Sequence, residues 1–516
     1  MSKKIIGLDF GTTFSFPAVE KNGTMKELVP TNFRYGIPSL FYFNSKKGII
    51  CGETANKLGE LDYNNLVKSI KMKLKDNDFN LDGEIFTPKQ IVKEIVKYIL
   101  TIALQKMQSE YHEQTNLIVL AVPVGFSEEE KAFLKNSINE IEIEINGRLA
   151  PIKVVGLIEE PVAAAMHYLK ECSFEESNPK ILVYDLGGGT FDLAFVEHNS
   201  NYDSDPTSEC IEPKYRVLDH DMLRIGGDLW DQRLKELLIQ KFKKEHSVDI
   251  TEYLRGEMFG KIMDCKHDLS IYNETGFHIT VEGASYAVEL TRQEFNEATN
   301  DLLQKTLDLT KKIIEENPNN TPDYIILVGG SSNMPQVKEG LKSLFPNIKI
   351  ELHSPEHAIG FGAAYYASML SVKLYSGDFV VENEEVLQNK AVYSYGAKLL
   401  KSGAEDEYII INAIFKDDIL PKKEKIAAQT RYDGQQQIKV CIYENTRTEE
   451  KFDFETMLSE CTYIGDIVVD GLPEGRAKGQ PLTIEISLNQ SGLIEVKLED
   501  NNTGKNAIVT MKHNLE

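Results

Sequence analysis

The chain has 516 residues, enough for two or more domains with cores of their own. A formal charge of −23 leaves no basic face for the phosphate contacts that nucleic acid requires, and it argues equally against an anionic membrane surface. Six cysteines, at 51, 172, 210, 265, 441 and 461, form no CxxC pair, so neither a zinc site nor a disulfide framework is expected, and a reducing, cytoplasmic setting is. No apolar run approaches the ~18 residues of a spanning helix. Asp9 interrupts the apolar run that follows Lys4, so no secretory leader is expected.

The first element is an apolar strand, Ile5–Leu8, that ends in Asp9 and runs into a turn at Gly11, Thr12 and Thr13 before a second strand from Phe14. The same pattern returns as Ile181–Asp185, a turn at Gly187, Gly188, Gly189 and Thr190, and a strand through Asp192. The copies still agree further on, Val19–Asn22 against Val196–Asn199. A repeat at this distance implies a duplicated lobe. Between and after the copies, helical periodicity predicts helices over Pro88–Met107, Glu128–Ile138 (with Ser127 as N-cap), Leu229–Phe242, Gln293–Glu316 and Pro335–Leu344. Short apolar strands are expected at Leu117–Val122, Ile181–Tyr184 and Tyr324–Val328, which makes an α/β pattern.

Around 376–390 the composition turns polar, with Ser376-Gly377-Asp378 and Glu382–Glu385, and a linker is expected there. From Val392 the helical period is lost. Alternating strands are predicted at Gln436–Tyr443, Leu482–Leu488 and Ile494–Leu498, separated by Asp433-Gly434, Asn489–Gly492 and Asn501–Gly504. This reads as a small antiparallel β-domain.

Glycine turns let backbone N–H groups approach a phosphate with no Cβ in the way, and threonine hydroxyls add donors. Two such turns can face each other across a cleft and hold one polyphosphate. Asp9 and Asp185, at the strand ends, are placed to hold Mg²⁺ through its water shell; the alternative is that each carboxylate only caps its turn. Phosphoryl transfer also asks for a lysine near the γ-phosphate and carboxylates to orient water, but spacing alone cannot select that lysine. A third glycine turn, Val328-Gly329-Gly330-Ser331-Ser332, follows a buried strand; it can pass a flat nucleoside against backbone or serve tight strand-to-helix packing.

Together these residues resemble the 70-kDa heat-shock protein chaperone family, across nearly the whole chain. The segments that carry the resemblance are Asp9–Phe14, Ile158–Ala165, Asp185–Asp192, Leu327–Pro335 and Ser354–Ala364. Those occur loosely in actins and sugar kinases too. Val122–Ser127, Ile225–Asp231, Tyr393–Gly396, Leu420–Lys423 and Gly492–Val496 with Thr503–Lys505 narrow the likeness to this family. It implies a two-lobed, actin-like (duplicated ribonuclease H-like) ATPase domain over 1–375, a linker over 376–391 and a β-sandwich peptide-binding domain over 392–516. It implies ATP hydrolysis with Mg²⁺, unfolded or extended polypeptide as ligand, and a J-domain cochaperone and a nucleotide-exchange factor as partners.

The resemblance assigns roles by position. Lys71 falls on the catalytic lysine, Glu160 and Asp192 on carboxylates that order Mg²⁺ and water, and Thr190 on the γ-phosphate contact. Gly227, Lys266, Ser270, Gly329, Gly330, Ser331, Asn333 and Glu356 fall on nucleotide-side positions. Ala397, Leu400, Ile426, Ala427, Ile438 and Val440 fall on or beside the peptide groove, or serve as ordinary sandwich core.

The sequence also departs from the family. His267 and Asn333 stand where many members have arginines that sandwich the base, and Met263 replaces a ribose-contacting Glu, so weaker or less base-selective ATP binding is expected. Lys390 stands where the linker usually ends in Asp, and its usual basic partner position is Gly156, so coupling between nucleotide and peptide is expected to be weak or differently wired. No helical segment follows the β-domain, so the family's helical lid is expected to be missing, either naturally or by truncation, and fast peptide exchange is expected. The segment between Lys75 and Thr87 is short, which predicts a trimmed subdomain. Competing readings are a nucleotide-sensing peptide scaffold with little ATP turnover and, less favoured, an actin-like polymer-former.

Overall fold

A computed structural model describes residues 4–33, 35–174, 177–200, 213–254, 257–375, 378–382, 387–401, 407–454, 456–489 and 492–511. Cys210, Ser376, Gly377, Asn383–Glu385, Val386, Gln490 and Ser491, used above, lie outside the described residues. The chain divides into two compact units. One holds Met1–Gly125, Asn136–Ser200 and His220–Asn383; the other holds Phe126–Lys135, Asn201–Asp219 and Glu384–Glu516.

The first unit contains the same sheet twice. Ile6–Asp9 pairs antiparallel with Phe14–Lys21 on one side and parallel with Leu117–Val122 on the other, which in turn runs parallel to Lys153–Glu159. Lys180–Leu186 repeats this: antiparallel to Phe191–His198, parallel to Tyr324–Val328, which runs parallel to Lys349–Leu352. The sequence repeat is therefore a repeat of topology. Inner strands covered on both faces carry continuous apolar runs, and Leu117–Val122 is buried at every position.

The predicted helices form, Pro335–Leu344 with the expected bounds and the other four with longer ends. The helix at Pro88 runs to Tyr111, opened by a reciprocal cap between Thr87 and Gln90 and stopped where His112 takes φ +55°. Arg292–Glu316 opens the same way, through Thr291 and Glu294. Four helices escaped the periodicity argument: Glu53–Leu61, Glu160–Glu171, Glu257–Ile271 and Ala358–Met369. Glu160–Glu171 is buried continuously from Glu160 through Leu169, so it has no polar face to set a period. It crosses Ala358–Met369 so closely that a Cβ on Gly362 would sit 1.8 Å from the Ala163 carbonyl oxygen. The stretch between Lys75 and Thr87 is not bare of strands, since Phe79–Leu81 and Glu84–Phe86 form a hairpin there. Among the described residues no helix is long and apolar enough to cross a membrane.

In the second unit two antiparallel sheets share one core. The first orders Lys451–Asp453, Tyr408–Ile414, Ser394–Leu400, Ile438–Asn445 and Cys461–Val469; the second orders Lys422–Gln429, Pro481–Leu488, Ile494–Asp500 and Asn506–Thr510. Alternate residues of both, among them Ile442, Ile467, Ile484, Ile486 and Val496, meet in a single cluster. This is the β-sandwich expected from the alternating pattern. The same unit holds the end of the linker stretch. Leu387 and Gln388 pair in parallel with Tyr215 and Arg216, and Lys390 Nζ donates to the Leu218 carbonyl at 2.5 Å.

Candidate nucleotide site

The two glycine turns lie against each other. A Cβ on Gly188 would be 2.6 Å from Thr13 Oγ1, and one on Gly189 would be 3.2 Å from Thr12 Oγ1. Each turn is held open by its own backbone. Gly187 N–H donates to the Thr190 carbonyl at 3.0 Å, and a Cβ on Gly11 would strike the Phe14 carbonyl oxygen. The turns of the two repeat copies are therefore side by side.

Around the second turn the nucleotide-side candidates gather. Gly227 N–H donates to Gly187 O at 2.9 Å, and Ser331 Oγ donates to the same oxygen at 3.0 Å. Lys266 Nζ reaches Gly227 O at 3.3 Å and Asp231 at 2.8 Å, while Ser270 Oγ donates to Lys266 O. Gly329 adopts φ +78° and passes so close to Asp185 that a Cβ would meet Oδ1 at 2.5 Å. The third glycine turn thus packs directly on the second Asp. Exposed Gly330 follows it, and Asn333 Nδ2 donates to Gly330 O at 3.0 Å and to Glu356 Oε1 at 3.3 Å.

Acid chemistry collects beneath the turns. Asp9, Asp185, Asp192, Glu160, Thr190 and Lys71 are all buried. Lys71 Nζ donates to Glu160 Oε1. Burial, then the Glu160 charge, pushes Asp9 up to about 7 against the pull of Lys71. Burial and Glu160 likewise lift Asp192 to about 7, and burial with Asp192 beside it lifts Asp185 well above the usual carboxylate range. Lys71 is held above the ordinary lysine range: burial opposes its charge, but Glu160 and Asp9 outweigh that.

The carboxyl groups of this cluster outnumber the one ammonium set among them, Lys71, and Asp192 Oδ2 is buried with no hydrogen-bond partner while Oδ1 accepts from Val124 N–H at 2.9 Å. That surplus fits a divalent cation. Among the described residues no three His, Cys, Asp or Glu side chains are set to hold a metal ion.

Sequence reasoning missed two neighbours of this site. His220 Nδ1 lies 2.8 Å from Glu159 Oε2, both buried, immediately before Glu160 in the chain. Met72 packs on Gly189, where a Cβ would come 2.6 Å from its Cγ. Both contacts join segments far apart in sequence, and no local pattern announces them.

The β-unit candidates divide by burial. Ala397, Ile426, Ile438 and Val440 belong to the sandwich core, Leu400 is half-buried and Ala427 is exposed.

Comparison with known proteins agrees with the resemblance. The family profile described as Hsp70 protein matches residues 75–516. The chaperone protein DnaK of Thermosipho africanus is 27% identical over 532 residues, spanning 99% of this chain and 80% of that protein. The chaperone protein DnaK of Thermosipho melanesiensis is 27% identical over 541 residues, spanning 100% of this chain and 82% of that protein. The chain belongs to the Hsp70 family, that of the 70-kDa heat-shock chaperones. The match runs through the C-terminal β-unit, so an actin-like polymer-former is not favoured.

Proposed function

We propose that the chain binds and hydrolyses ATP and uses its β-sandwich to bind extended apolar segments of unfolded polypeptides, as a cytoplasmic chaperone. The observations that carry the first half are the apposition of Gly188 with Thr13 and the buried Lys71–Glu160 pair. The turns' N–H groups and the hydroxyls of Thr12, Thr13 and Thr190 hold the polyphosphate. Asp9 and Asp185 would hold Mg²⁺, which would neutralise phosphate charge when bound. Lys71 faces the charge that develops on the transferring phosphoryl group. Asp192 and Glu160, raised toward neutral pH or tied to Lys71, order the attacking water.

Main-chain hydrogen bonds along an exposed strand, with a central apolar pocket, would hold the peptide. Ala397, Leu400, Ile426, Ala427, Ile438 and Val440 are proposed at or beside that groove. A J-domain cochaperone and a nucleotide-exchange factor are the partners this reading expects.

The second reading is a nucleotide-sensing peptide-binding scaffold with little ATP turnover. Its test turns on the linker, where Lys390 is engaged with the Leu218 carbonyl.

Calorimetric titration of the full chain with MgADP, beside fluorescence-anisotropy titration with a labelled extended apolar peptide, tests the proposal. Saturable binding of both, with faster peptide release when ATP is added, supports the coupled chaperone. Peptide binding indifferent to ATP favours the scaffold, and binding of neither ligand defeats both.

A further inference from the structure

The base side of the cleft contains a row of rings that neither the glycine turns nor the acid cluster uses. Phe14 follows the first phosphate turn directly. Its ring lies 5.9 Å from that of Tyr35, tilted 47°, and Tyr35 lies 6.4 Å from the ring of His267, tilted 50°. Phe14 and Tyr35 are each 36% exposed, so the row stands at the solvent boundary rather than in a core. The chain holds Tyr35 there firmly. Phe14 and Ser15 pair antiparallel with Pro38 and Ile37, and Gly36, at φ +109°, passes so close that a Cβ would meet Ser15 O at 2.8 Å. His267 is held from the other side, next to Lys266, whose ammonium is fixed by Gly227 O and Asp231.

The spacing is informative. Tyr35 and His267 meet at a 50° tilt, and 6.4 Å lies within the range of ordinary ring pairs, so a base stacks between them only once the Tyr35 ring turns away from His267. Stacked bases repeat at about 3.4 Å, so a flat ring inserted between two others needs roughly twice that. Asn333 presents only a small amide face, held in place by its bonds to Gly330 O and Glu356 Oε1.

We propose that Tyr35 is a base-contacting residue, which closes on the purine of a bound nucleoside di- or triphosphate from the side opposite His267. This inference rests on the nucleotide reading above and adds the residue that sets base preference. Phenol and imidazole faces read only a flat π surface, and stacking of this kind is tolerant of base identity. Adenine and guanine nucleotides should therefore bind with similar affinity, and pyrimidine nucleotides more weakly because they present a smaller face.

The test measures binding of ADP and of inorganic tripolyphosphate to the full chain by calorimetry, in wild type and in Tyr35→Ala, Tyr35→Leu and Tyr35→Phe. Loss of one base–ring stack is expected to weaken ADP binding about tenfold or more in Tyr35→Ala and Tyr35→Leu. Tripolyphosphate binding is expected to stay unchanged, and Tyr35→Phe to keep ADP affinity within about twofold. ADP binding as in wild type by Tyr35→Leu overturns the inference. Equal losses for ADP and tripolyphosphate also overturn it, because the effect would then lie on the phosphate side. Wild-type protein that binds neither ligand overturns the nucleotide reading itself, and this inference with it.

Discussion

Lys71 and Glu160 form an ion pair with side-chain exposures of 2% and 8%, joining segments 89 residues apart at the floor of the cleft. A charge that deeply buried persists only while paired, and removing one partner leaves the other stranded. Lys71 also restrains Asp9 and Asp192, whose carboxyls sit near 7. Lys71→Met should therefore cost about 3 kcal/mol or more of stability at pH 8. The loss should shrink near pH 6, where those two carboxyls are protonated and need no counter-charge. Urea unfolding at the two pH values checks this; equal losses would show that the pair is not coupled to the aspartates.

The same carboxyls set the pH dependence of cation binding. With Asp9 and Asp192 raised to about 7, protons compete with a cation below that value and release the site above it. The rise in melting temperature that Mg²⁺ adds to ADP should grow as pH increases from about 6 to about 8. Asp9→Asn should flatten that rise. A Mg²⁺ increment that is the same across this range in wild type contradicts the assignment of Asp9.

His167 offers an independent titration. It stacks on Phe361 and lies 3.1 Å from His353 through its Nδ1. Burial, then the neighbouring His353 and His357, lowers it from 6.5 to about 4. Its unfolded form takes up a proton first, so the folded state loses ground as pH falls from about 6.5 to about 4, and nothing is lost above that window. The full effect is on the order of 3 kcal/mol. The aspartates of the cleft act in the opposite direction over an overlapping range, so the comparison must be with a variant. His167→Phe keeps the ring stack and removes the titration, and it should gain on wild type steadily as pH drops through that window. Parallel pH profiles would refute the assignment.

Gly362 has no room for a methyl group. The nearest atom is a backbone carbonyl oxygen, at 1.8 Å from the Cβ position, on a helix that is itself buried. Gly362→Ala should push apart Glu160–Glu171 and Ala358–Met369 at a cost of about 3 kcal/mol, the upper end for overpacking. Glu160 sits at the start of the first of these helices, so nucleotide affinity should fall as well. Circular dichroism melting and ADP titration read the two effects.

How far the sequence could be read depended on whether a feature was local. The paired strand–turn–strand units were legible because Asp9–Thr13 and Asp185–Thr190 each sit within a few residues. Helices with one wet face, such as Arg292–Glu316, announced themselves by period, whereas Glu160–Glu171 and Ala358–Met369, buried all round, did not. Lys71 was reachable only through family likeness, because what distinguishes it from other lysines is a partner far along the chain. Tyr35, His220 and Met72 were invisible for the same reason: each is defined by what folds against it. In the β-unit the alternation that revealed strands also hid function, since core and groove residues share one pattern, and Ala397, Ile438 and Val440 lie in the core.

Single-turnover hydrolysis of ATP by the full chain, with and without an unfolded polypeptide and with Lys71→Ala as the reference, tests the central claim most directly. The account predicts phosphate release that drops at least a hundredfold in Lys71→Ala, as loss of a transition-state charge contact does, and that accelerates when polypeptide is added to wild type. Release that is unchanged by removing Lys71 would contradict the assignment of this cleft as the site of hydrolysis.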